Sequence, residues 1–143
     1  MLKLRDWVDI NKIKWAVLAS NPNAVELLKE NKNQIYWVWL SENSNAIELL
    51  KENIDKIDWY NLSKNPNAIE LLKENKDKIN WDMLSLNPNA NAIELLKENK
   101  DKYNWWVMCQ NGIELLKETQ NEIDWVYLSL NSNEIELLER KSK

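Results

Sequence analysis

Apolar and polar positions along the 143 residues recur with a period of 22. Trp stands at 15, 37, 59 and 81, and again at 105 and 125. Leu follows each Trp three residues later, or Met108 in the fifth copy, so each pair shares one face of a short helix. Every copy then carries a second apolar stripe, clearest at Ile69, Leu71 and Leu72, again at helical spacing. Each copy therefore predicts two short helices, a Trp-bearing one and a second one, joined by a turn. The intervals from Trp81 to Trp105 and on to Trp125 are 24 and 20 residues. Copy four duplicates an Asn-Ala pair at Asn89-Ala90-Asn91-Ala92, and copy five is cut to Asn111-Gly112. Both changes fall in the connection between the two helices, where length changes are tolerated.

A period in this range signals a stacked array. One copy, with about six large apolar side chains, cannot offset the entropy of ordering its own chain, so copies must stack. The expected fold is all-α: one domain, a solenoid of six helix-turn-helix repeats over residues 13–138, with residues 1–12 as an N-terminal cap around Trp7 and 139–143 as a polar tail. A leucine-rich repeat is the competing reading, because Met83-Leu84-Ser85-Leu86-Asn87 resembles its strand. Other copies put Glu42 or Lys64 where Leu86 stands, which breaks the inward alternation of a strand.

Turn and cap residues refine the helix limits. Asn-x-Ile/Val-Glu recurs at Asn23/Glu26, Asn45/Glu48, Asn67/Glu70, Asn91/Glu94, Asn111/Glu114 and Asn133/Glu136. This spacing predicts a capping box, with the Asn as N-cap of the second helix and the Glu reaching back to it. Asp58, Asn80, Asn104 and Asp124 precede the Trp and are expected to cap the first helix. Asn31, Asn53, Asn75 and Asn99 are expected to end the second helix in the left-handed conformation. Asn occurs 22 times and Lys outnumbers Arg by 17 to 2. Codon bias in an AT-rich genome produces such a skew, so part of the Asn and Lys excess is expected to carry no physical message.

The unit Ile-x-Trp-x-x-Leu-Ser-x-Asn-Pro-Asn-Ala-Ile-Glu-Leu-Leu, complete at residues 57–72, resembles the short tryptophan/asparagine repeats of proteins encoded by large DNA (giant) viruses. The likeness covers residues 13–138. It implies a viral protein of the host cytoplasm or the virion, and it brings no activity with it. Copy five departs from the pattern at Tyr103 and at Met108-Cys109-Gln110.

Charge and composition narrow the chemistry. Formal net charge is −4 with no His, one Gly and one Cys. His is the commonest general base and metal ligand, and Gly-rich loops are what cradle phosphates. The acidic balance disfavours attraction to nucleic acid or anionic membrane. Apolar runs are too short to span a bilayer, and the charged start Met1–Asp6 lacks a signal peptide's apolar stretch, so the expected location is cytoplasmic. The Trp column has the spacing of a base-stacking ladder, but Leu shares its face and makes it core. Cys109 occupies the column of Ser41, Ser63, Ser85 and Ser129 and has no His to activate it. The Lys column at 29, 51, 73, 97 and 117 alternates with Glu as a mixed solvated face. No catalytic residue, metal site, cofactor or small-molecule substrate is expected.

What varies between copies is the pair of positions after each Trp. Both lie roughly 130° from the centre of the Trp/Leu face. Several carry residue types enriched at interfaces. The expected function is a non-enzymatic scaffold that binds a protein partner through Trp39, Tyr60, Met83, Trp106 and Tyr127. The alternatives are that these side chains pack between repeats, or that the chain self-associates as a structural component of a viral particle.

Overall fold

A computed structural model of the protein describes residues 8–102. The cap around Trp7, the fifth and sixth copies with Trp106, Cys109 and Tyr127, and the tail 139–143 lie outside the described residues. Every regular element among the described residues is helical, and none is a strand. The segment expected to compete as a strand instead places Met83 and Leu84 in a helix. The chain divides into two compact units at Ile79/Asn80.

In the first unit the elements alternate as the Trp and Leu periods require. Trp-bearing helices are α1 (Trp15–Ala19), α3 (Trp37–Glu42) and α5 (Trp59–Lys64). Between them run α2 (Val25–Glu30), α4 (Ile47–Lys51) and α6 (Ile69–Glu74). None exceeds two turns, too short to be stable alone in water, so packing holds them. α1 packs on α3 and α3 on α5, and within a copy α3 packs on α4 and α5 on α6. The buried layer is the predicted Leu set: Leu28, Leu40, Leu49, Leu50, Leu62 and Leu72 are inaccessible to solvent. Ile35 and Ile57 lead into the Trp helices from the core.

A third element was not foreseen. Single 3₁₀ turns at Ile10–Lys12, Lys32–Gln34, Ile54–Lys56 and Lys76–Lys78 return the chain from one copy to the next. In the second unit, α7 (Trp81–Leu84) packs on α8 (Ala90–Lys97). The duplicated Asn-Ala pair does not lengthen a loop, as expected, but adds to α8, which is the longest of these helices. Asn91 lies inside it, and Asn89 caps it by accepting from the Asn91 N–H at 2.9 Å.

The Asn roles differ from expectation in two respects. Asn23, Asn45 and Asn67 are not N-caps: the residues ahead of α2, α4 and α6 are Ala24, Ala46 and Ala68, which have no side chain to cap with. The Asn two positions earlier does that work. Asn21, Asn43 and Asn65 each accept from the N–H two residues on, at 3.0 Å, and so close the turn before the helix. The Glu of the supposed capping box turns the other way and pairs with the Lys three residues on, at 2.7 Å in Glu26–Lys29 and 2.9 Å in Glu70–Lys73. The second correction concerns Asn31, Asn53 and Asn75. No described residue has a positive φ. These three sit near φ −130° and ψ 50°, and their Nδ2 donates to the carbonyl four residues back, Leu27, Leu49 and Leu71. A side-chain donor thus satisfies a helix-end carbonyl that a left-handed backbone would otherwise satisfy. The caps expected at Asp58 and Asn80 are present, accepting from the Asn61 and Met83 N–H groups.

Candidate partner-binding surface

Two layers of polar chemistry hold the copies of the first unit together and fix what is left exposed. The first is a buried Asn ladder. Asn43 Nδ2 donates to the Ala19 carbonyl at 2.8 Å and the Asn21 carbonyl at 3.0 Å, in the preceding turn. One copy later, Asn65 Nδ2 donates to the Ser41 and Asn43 carbonyls, both at 3.0 Å. Asn45 and Asn67 add bonds from the rim to the Pro22 and Ser44 carbonyls. Asn65 is wholly buried, with both amide protons and its oxygen used, which is what makes a buried carboxamide tolerable. Asn excess therefore has a direct physical role.

The second layer is formed by the Ser column. Ser41 Oγ donates to the Trp37 carbonyl at 2.8 Å and accepts from the Asp58 N–H of the next copy at 3.0 Å. The column was expected to hold small packed residues. It does, and the hydroxyl also bridges copies. The Trp column is less buried than expected: Trp15 is core, whereas Trp37, Trp59 and Trp81 are half-buried. Lys56, Lys78 and Lys102, from the following 3₁₀ turn or its equivalent, lie over these three rings at 5.1, 5.0 and 5.4 Å. Each ammonium completes the cover of a ring face by a cation–π contact.

With framework positions accounted for, the exposed large apolar side chains concentrate on the Trp helices. Trp39 on α3 is 48% exposed and Tyr60 on α5 is 51% exposed, although Leu40 and Leu62 beside them are fully buried. About half of each ring therefore stands in solvent. Tyr36 and Val38 extend the same exposure on α3, and Val17 on α1. Tyr36 escaped the sequence reading, although an aromatic standing in a column of Asp and Asn caps was its signal. Met83 is half-buried in the second unit. Trp106 and Tyr127, proposed with them, lie outside the described residues.

Charges around this surface are paired locally. Lys64 reaches Glu42 of the preceding copy at 3.4 Å and lies 5.7 Å from the Tyr60 ring. Lys29, hydrogen-bonded to Glu26, is raised above the usual lysine value by that carboxylate. Among the described residues, no three His, Cys, Asp or Glu side chains converge as metal ligands. The hollow formed by residues 29–34, about 410 Å³, is open and lined by the polar and charged residues of the α2 end and the 3₁₀ turn. No helix among the described residues is long and apolar enough to cross a membrane. No protein-family model, no curated protein and no solved structure matches the chain.

Proposed function

We propose that the chain is a solenoid of six short repeats that serves as a non-enzymatic scaffold, binding a protein partner through the variable positions of its Trp helices. The observation that carries this reading is the pair of half-exposed rings, Trp39 and Tyr60, on two helices that pack against each other. Their exposure is not required by the core, since Leu40 and Leu62 fill it. Trp and Tyr dominate binding energy at protein interfaces, and covering the exposed half of each ring contributes about 1–2 kcal/mol. Met83, Trp106 and Tyr127 are the corresponding candidates in later copies. The resemblance to giant-virus repeats makes an infected cell the place to seek the partner.

The test compares the wild-type chain with a Trp39→Ser/Tyr60→Ser variant in affinity capture from the source cell, with folding followed by circular dichroism. A protein retained by the wild type and lost by the folded variant supports the reading. Equal retention by both excludes this surface. A self-associating structural component is the competing role, and light scattering of the wild type beside the Trp39→Ser/Tyr60→Ser variant separates the two, since only self-association through these rings is lost in the variant.

A further inference from the structure

The Asn ladder has a direction, and its first rung is unfilled. At both junctions within the first unit, one turn donates three side-chain bonds to the carbonyls of the turn before it. Asn43 and Asn45 donate to Ala19, Asn21 and Pro22. Asn65 and Asn67 donate to Ser41, Asn43 and Ser44. The turn at Asn21-Pro22-Asn23 has the same donors. Asn21 Oδ1 closes it by accepting from the Asn23 N–H at 3.0 Å, as Asn43 and Asn65 do in theirs. Yet Asn21 is exposed, whereas Asn43 and Asn65 are buried; the second Asn of each turn is exposed in all three copies. Among the described residues, neither Asn21 Nδ2 nor Asn23 Nδ2 has an acceptor. The edge is preformed, because the bond that orients Asn21 is already made.

We infer that this edge is a docking face for a second copy of the chain, stacked head to tail so that backbone carbonyls of one of its turns receive Asn21 and Asn23. The occupant is defined by the two internal junctions: what covers the same donors there is a turn of this repeat, offering three carbonyls in the register of Ala19, Asn21 and Pro22. The sequence of residues 41–44 recurs at Ser129-Leu130-Asn131-Ser132, with only the second residue changed. Donor and acceptor edges differ, so the contact is heterologous and propagates unless it closes into a ring. This surface is separate from Trp39 and Tyr60, and the inference stands or falls independently of the partner scaffold.

Asn21→Asp is the deciding variant. It keeps the oxygen that closes the turn and replaces the outward N–H donors with a carboxylate oxygen facing carbonyls. Asn23→Asp, at a side chain with no internal bond, is the second variant and guards against a folding defect in the first. Sedimentation velocity of the full chain over rising concentration is the measurement. The expected result is a mass that grows beyond 17.1 kDa with concentration for the wild type and for Trp39→Ser, with loss of that growth in Asn21→Asp and a weakening in Asn23→Asp. A wild-type chain that stays monomeric at all concentrations overturns the inference. So does self-association that survives both Asp variants, which would place the contact elsewhere.

Discussion

The sequence makes Asn67 the helix cap and Asn65, two positions earlier in the same Asn-Pro-Asn turn, a turn residue, but their surroundings reverse that ranking. Asn65 is buried with all three of its hydrogen-bonding positions used, while Asn67 is exposed and makes one bond to the Ser44 carbonyl. Asn65→Ala leaves buried carbonyls short of a donor and opens the turn, and is expected to cost about 2–3 kcal/mol; Asn67→Ala is expected to cost under about 1 kcal/mol. Urea denaturation of the two variants measures the difference, and equal losses would remove the ladder as a stabilising feature. Ser41→Ala gives a second reading of the same principle. Ala19 occupies that column in the first copy and is fully buried, so the space accepts Ala. The loss at Ser41, about 1–2 kcal/mol, then reports the Asp58 N–H left without its acceptor.

Single helices in this molecule are decided at their ends, because five or six residues leave most of their N–H and C=O groups outside the intrahelical pattern. α5 begins at Asp58, whose carboxylate accepts from the Asn61 N–H at 2.8 Å. α1 and α3 begin at Lys14 and Tyr36, with no side-chain cap, although their backbone angles are close to those of Asp58. Lys14→Asp should therefore install a missing cap and stabilise by about 0.5–1 kcal/mol. Thermal melting checks this directly, and a fall in stability would mean that Lys14 is held by something other than its place at the helix start. The Glu/Lys pairs on α2, α4, α6 and α8 are exposed, and at about 0.2–0.5 kcal/mol each they decorate helices that the Leu core holds.

Across the whole molecule, the Trp column and the variable rings make opposite demands. Trp59 is half-buried, roofed by Lys78 and followed on its own helix by the buried Leu62, so Trp59→Ala is expected to cost about 2–4 kcal/mol. Trp39→Ser gives up only the covered half of its ring and is expected to cost about 1–2 kcal/mol, less than Trp59→Ala, and to act mainly on binding. Similar denaturation losses at both positions would make Trp39 part of the framework and remove it from the interaction surface. The copy with two added residues shows how the framework tolerates change. Lys102 still lies over Trp81, two residues farther along the chain than Lys78 is from Trp59, because the addition is taken up in α8.

For the described residues, the sequence by itself determined the all-helical class, the two helices in each of the first four copies, the Leu, Ile and Trp columns and the caps at Asp58 and Asn80. Each of these follows from local periodicity or a contact within one turn, which a single copy displays in full. Tertiary structure alone decided which Asn is buried, which way Glu26 and Glu70 turn, and that Ser41 bridges to Asp58. Those choices depend on a partner 17 to 24 residues away or on competition between two nearby donors for one carboxylate. A 22-residue repeat places Asn at the same phase whether it faces its own turn or its neighbour's carbonyls. Only the packed neighbour distinguishes the two, and the same reason left Trp39 and Tyr60 as a variable pair in the sequence and as exposed rings in the fold.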